Sequence, residues 1–172
     1  LSTHSNLRSE NSTKQIHFTN SNSNLVTIGV DKAVSWDSET GKFDKIYGFS
    51  LNYAEGYSPY VNRLAYVEED TIIVYDLNSQ QKVDEVIVDG YIDYYAYSGN
   101  GKYAAYIYSN EKKYQVYDLE KDSVVYDQEV PTIPTMNIKG IKLSFKNLVG
   151  LYYESNSGNG IEFINFVTGD SS

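Results

Sequence analysis

The side chains able to do chemistry in this chain are few and scattered. The two histidines, His4 and His17, do not stand at a metal-ligand spacing. Cysteine is absent, so no zinc site is expected and there is no thiolate nucleophile or disulfide. His17 falls in a short apolar–polar strand and reads as a packed or surface residue. The turn Glu68-Glu69-Asp70-Thr71 gathers three carboxylates that could attract a cation. It lacks the alternating Asp order and the glycine of a calcium loop, and reads as a solvated hairpin tip. Ser98-Gly99-Asn100-Gly101-Lys102 has the glycines and lysine of a phosphate cradle, but not its full spacing or a following helix. It reads as a hairpin turn. There is no Gly-x-Ser-x-Gly element, and Ser157 to Gly160 is a turn. The carboxylate pairs Asp84/Glu85 and Asp89/Asp93 have nothing to order them across a cleft. The expectation is a non-enzymatic chain with no catalytic residue, metal or cofactor.

The elements that position these side chains are strands. The chain has 172 residues, enough for one domain with a core, and 18 of them are tyrosine. Tyrosine favours strands whose faces are partly wet. The formal net charge is −9, which disfavours attraction to a phosphate backbone. The lysines at 112–113 and at 139 and 142 form no basic stripe. No apolar run approaches the roughly 20 residues of a membrane-spanning helix. The sequence starts at Leu1 with no secretory apolar region, and reads as a processed chain or an excerpt. Compartment stays open, with cytoplasm or nucleus favoured over secretion. Asn11-Ser12-Thr13 matches a glycosylation acceptor, which matters only for a secreted protein.

Residues 1–15 are a polar lead-in. From residue 16 onward, short apolar runs alternate with turn clusters, and no segment carries helical periodicity. The third strands of successive units end at Trp36-Asp37, Tyr75-Asp76, Tyr117-Asp118 and Ile164-Asn165. The steps are about 39, 42 and 47 residues, close to the roughly 40–45-residue period of one propeller blade. In each, an aromatic or aliphatic residue precedes a side-chain oxygen able to bond turn amides. The fold class expected is all-β: a propeller segment of about four four-stranded antiparallel blades. Their approximate spans are 16–50, 51–89, 90–130 and 135–172. The last blade stops where its outer strand should begin, so the segment reads as part of a larger propeller.

Gly29 to Asp37, with Asp31 five residues before Trp36, resembles the turn and third strand of the WD40-repeat family. The close match covers residues 24–42. That resemblance implies a structural hydrogen-bonded set in the blade, with His4, Thr27, Asp31 and Trp36 as its members and Asp37 closing the turn. Asp70 and Tyr75 keep the five-residue spacing, with Asp76 following, and Tyr117-Asp118 mark the third unit. Lys112 stands where the third turn Asp would be, and Asn159 and Ile164 mark a fourth, degenerate unit. Tyr97 to Ala105 and Val116 to Leu119 are also similar to propellers of the TolB and lactonase kind.

The resemblance implies a protein–protein interaction scaffold in a larger assembly, completed by further blades from the same or another chain. Alternatives are a ligand-binding or enzymatic propeller and an extracellular adhesive domain. Strand alternation places Tyr91, Asp93, Tyr95 and Tyr97 on one face, and Ile92, Tyr94 and Ala96 on the other. Tyrosines that reach the rim suit a binding surface. The candidate partner-binding residues are Tyr57, Tyr60, Glu68, Glu69, Asp70 and Tyr95, and the acidic field suggests a partner with basic and apolar segments.

Overall fold

The computed structural model describes residues 15–19, 23–29, 32–48, 54–108, 113–130, 136–144, 146–155 and 158–171. Every regular element among them is a strand. The first blade holds β1 (Gln15–Phe18), β2 (Asn24–Ile28), β3 (Lys32–Asp37) and β4 (Phe43–Gly48). The second holds β5 (Ala54–Ser58), β6 (Arg63–Glu68), β7 (Thr71–Asp76) and β8 (Gln81–Ile87). The third holds β9 (Ile92–Tyr97), β10 (Tyr103–Tyr108), β11 (Lys113–Asp118) and β12 (Ser123–Glu129). The fourth holds β13 (Met136–Leu143), β14 (Leu148–Ser155) and β15 (Gly158–Asn165).

Each sheet is antiparallel and runs in chain order, with four strands in the first three blades and three in the last. At the edge of β15, Ile164 forms an isolated bridge with Ser171, where a fourth strand begins in the other blades. The blades form an arc that does not close.

Three cores hold the arc together, one at each blade interface. Val26, Ile28 and Tyr47 of the first blade meet Tyr57, Leu64 and Leu77 of the second. Ala65, Ile72, Val74 and Val86 meet Ile92, Tyr95, Tyr97 and Tyr106. Ala105, Ile107 and Val116 meet Ile141, Val149, Leu151 and Ile164. Tyrosine can enter these cores where the buried ring places its hydroxyl on a partner. Tyr95 donates to the Ala65 carbonyl at 3.1 Å across the blade interface, and Tyr106 to Gln115 Oε1 at 2.8 Å. Gly56 lets β5 approach β9: a Cβ there would stand 2.6 Å from the Tyr97 Cβ.

The two outer faces of the arc are also apolar. On the first blade, the cross-strand rows Ile16–Thr27–Val34–Ile46 and Phe18–Leu25–Trp36–Phe43 point away from the second blade. Ile16 is 63% exposed and Phe18 58%. On the fourth, the rows Gly150–Phe163 and Tyr152–Ile161 point away from the third, with Ile161 54% exposed.

Regular alternation fails in β9. Tyr108 pairs with Ile92 and Ile107 with Tyr94, so Asp93 is an extra residue in a bulge. The bulge moves Ile92 to the face of Tyr95 and Tyr97, in the core with the second blade, and leaves Tyr94 with Ala96 on the face toward the fourth. The expected grouping of Ile92 with Tyr94 and Ala96 is corrected accordingly.

Candidate functional site

One end of the arc is built from a turn repeated in all four blades. After the third strand, a side-chain oxygen accepts the backbone N–H three residues on. Asp37 Oδ1 takes the Thr40 amide at 2.7 Å, Asp76 Oδ1 that of Ser79 at 2.9 Å, Asp118 Oδ1 that of Lys121 at 3.2 Å, and Asn165 Oδ1 that of Thr168 at 3.3 Å. The residue after each of these has a left-handed φ: Gly41 at 65°, Gln80 at 57°, Asp122 at 52° and Gly169 at 80°. A carboxylate or carboxamide at the strand end closes each turn, as the sequence pattern suggested.

The turns differ in burial. Asp118 is fully buried, and its Oδ2 has no hydrogen-bond partner, with Lys121 Nζ at ion-pair distance, 3.4 Å. Asp76 adds the Arg63 Nε at 3.4 Å. The carboxyl of Asp37 is held below its ordinary pKa, first by the Thr40 hydroxyl and then by the Thr40 amide. Tyr117 hydrogen-bonds to the Asp122 carboxylate, which, with burial, pushes the phenol up to about 12.

Of the four-residue set in the first blade, the structure describes two members. Trp36 Nε1 donates to Thr27 Oγ1 at 3.1 Å, and Thr27 lies on the Val34 carbonyl at 3.4 Å. His4 and Asp31 lie outside the described residues. In the second blade Tyr75 packs beside the core shared with the first, while Asp70 is exposed and accepts from Thr71 Oγ1.

The innermost strands β1, β5, β9 and β13 converge on a cavity of about 420 Å³. His17, Tyr57, Tyr97 and Lys142 line it. His17 lies against the Tyr57 ring, with centroids 5.1 Å apart, and its Nε2 is 2.9 Å from Gln15 Oε1. Burial first, and then the Lys142 charge, lower the His17 pKa. Burial raises Tyr57 and Tyr97 to about 12.

A second cleft, of about 400 Å³, opens between the first and second blades at the end that carries the repeated turns. Asn24, Ser35, Asp44 and Tyr47 form one wall, and Tyr60 and Asn62 the other. Asn24 Nδ2 bridges Ser35 Oγ at 2.9 Å and Asp44 Oδ2 at 3.1 Å. Asp44 points here because of a bulge. Trp36 pairs with Phe43 and Ser35 with Lys45, so Asp44 is the extra residue and is turned out of the ladder.

The predicted partner residues divide by burial. Tyr60 is 56% exposed, at the mouth of the cleft. Glu68, Glu69 and Asp70 are exposed at the opposite end of the arc, on the β6–β7 hairpin, where Glu69 takes a φ of 56°. Tyr57 and Tyr95 are only 5% exposed. Their place in the partner set is corrected: alternation toward the neighbouring blade buries both, with their hydroxyls on Asn62 Oδ1 and the Ala65 carbonyl. Asn24 and Asp44 hold no motif position in the sequence, and Lys142 stands there only among lysines that form no basic stripe. The repeat offset could have flagged Asn24, which occupies the ladder position held by Arg63 in the next blade. Asp44 depends on a bulge, which no residue pattern announces.

No family model matches the chain, and the search of curated proteins finds no match. Solved structures do match in fold. Kuenenia stuttgartiensis hydrazine synthase aligns over 98% of this chain and 50% of its own, with a TM-score of 0.66 and 15% identity. The structure of U3-55K aligns over 95% and 52%, with a TM-score of 0.69 and 11% identity. The WD40 repeats of RRP9 align over 95% and 51%, with a TM-score of 0.68 and 11% identity. The chain therefore spans about half the length of each of these chains. At such identities the likeness is one of fold, and the fold is that of a WD40-like β-propeller segment.

Proposed function

We propose that this chain is a protein-interaction scaffold: an arc of propeller blades, completed by further blades, that presents rigid turns and clefts to protein partners. The observation that supports it most directly is the arrangement of the turn-bearing end. Four side-chain-closed turns hold the backbone there, and a polar cleft with an exposed tyrosine at its mouth opens between two of them. Pre-organised loops on a stiff scaffold suit binding, because little is lost on ordering them. The likeness to WD40-repeat structures favours the same reading by analogy of fold. The need for further blades is supported by the apolar outer faces of the first and fourth blades, which match in kind the faces buried inside the arc.

A ligand-binding propeller is the second reading. The inner cavity, with His17, Tyr57 and Lys142, favours it, and one structural neighbour, hydrazine synthase, is an enzyme. The two readings separate by experiment. A partner recovered by cross-linking from the native source is purified and recombined with the protein. A stoichiometric complex whose association slows with salt supports the scaffold. A purified protein that forms no such complex, and instead binds a small molecule in a way lost on Lys142→Ala, contradicts it.

A further inference from the structure

We infer that the cleft between the first and second blades is a seat for an arginine side chain of a protein partner, with Asp44 receiving the guanidinium. This rests on the scaffold reading and names what one of its surfaces recognises.

The chain carries the model for this site one blade further on. Arg63 occupies the ladder position opposite Asp76 that Asn24 occupies opposite Asp37. Its guanidinium lies 3.4 Å from the Asp76 carboxylate, with Asp84 and the Tyr97 phenol within its field. An internal guanidinium thus serves the carboxylates and tyrosine between the second and third blades.

Between the first and second blades the equivalent position has a shorter, uncharged carboxamide, and the space is open to about 400 Å³. The surroundings are retained in part: Lys45 stands at the ladder position of Asp84, and the carboxylate is supplied from the neighbouring position instead. Tyr57 stands at the strand position of Tyr97, since each pairs with the second residue of the next strand, Leu64 and Ala104. The bulge that leaves Val83 and Val125 as the extra residues in the second and third blades here supplies Asp44.

Among the described residues, Asp44 is the one charged residue lining this cleft, in a chain of net charge −9. Asn24 fixes it through Oδ2 at 3.1 Å. The Tyr47 phenol beside it is pushed up by burial and then by the Asp44 charge, so it stays a neutral hydrogen-bonding group. Lys45 is not among the residues lining the cleft; its Nζ sits 5.3 Å from the centre of the ring of Tyr47, which does line it. Tyr60, more than half exposed at the mouth, offers a ring on which a planar guanidinium can stack. A forked cation suits a fixed carboxylate flanked by carboxamide and hydroxyl acceptors.

The test uses the protein in its completed, folded form, with two probes: acetyl-Gly-Arg-Gly-amide and its citrulline counterpart, which keeps the shape and loses the charge. Binding is followed by NMR through the side-chain amides of Asn24, Asn62 and Asn78. The arginine peptide should shift these signals and the citrulline peptide should not. Asp44→Asn keeps an oxygen for Asn24 and should weaken arginine binding by about tenfold, the effect of losing one charge-assisted bond. Unchanged Trp36 fluorescence in that variant confirms the fold. Equal binding of both peptides, or equal binding by Asp44→Asn, overturns the proposal. So does maltotriose shifting the same amides when the arginine peptide does not, which makes the cleft a sugar site. Arginine-peptide shifts confined to Glu68, Glu69 and Asp70 overturn the cleft seat and leave the scaffold reading standing.

Discussion

Asp118 and Lys121 face each other inside a turn where the carboxylate is fully buried: one oxygen takes the Lys121 amide and the other has only the Lys121 ammonium at 3.4 Å. The same motif at Asp37 sits in an exposed turn. One sequence device therefore does structural work at two depths, and the consequences of removing it should differ.

Replacing Asp118 with Ala leaves the Glu120 and Lys121 amides of a part-buried turn without their acceptor, and empties the buried space of the carboxylate. The expected loss is about 1–3 kcal/mol of stability, read from urea denaturation midpoints. Asp118→Asn retains the acceptor and should lose less. Asp37→Ala should perturb stability less than Asp118→Ala, because water can reach the Thr40 amide. Equal effects at both sites would contradict the difference in burial.

The pKa of Asp37 is depressed in the folded protein, chiefly by the Thr40 hydroxyl and amide. A depressed carboxylate stabilises the fold at pH values above its unfolded pKa, near 3.8. That contribution is lost as pH falls through the lower, folded value. Thr40→Val removes the hydroxyl bond and should reduce the contribution above pH 3.8, while at lower pH the two proteins converge. Thermal melts over that range check it, and a constant gap between the two proteins would contradict it.

Burial holds the phenols of Tyr57 and Tyr97 at about 12, and those of Tyr106 and Tyr114 higher still. The unfolded chain ionises tyrosine near pH 10, so stability should fall as pH rises from about 10. In a titration of tyrosinate absorbance, these four should ionise only together with the loss of the fold.

Gly56 marks a close approach of β5 to β9 between the second and third blades. Gly56→Ala forces a Cβ to within 2.6 Å of the Tyr97 Cβ, where neither strand can yield alone. The expected destabilisation is about 1–3 kcal/mol. Hydrogen exchange should quicken in β5 and β9 before the rest of the arc.

What the sequence made legible was local and repeated. Trp36-Asp37 and its three weaker copies set the blade register, and the turns they marked are closed by the predicted oxygens. The bond from Trp36 to Thr27 was readable for the same reason, since both belong to one hairpin. What was hidden depends on ladder irregularities and on blade-to-blade contact. A single bulge at Asp93 changed the face of Ile92, and another at Asp44 turned a carboxylate into a cleft. Tyr57 and Tyr95 are buried, against the expectation of a binding surface, because alternation gives a side chain's face but not what covers that face.

The central proposal is that the arc is an interaction scaffold that needs further blades. Sedimentation of this 172-residue chain alone, across micromolar concentrations, tests it most directly. With Ile16, Phe18, Ile161 and Phe163 left bare on the outer faces, the expected result is self-association, reduced by Phe18→Asp with Phe163→Asp. A monodisperse monomer that unfolds in one cooperative transition would contradict it.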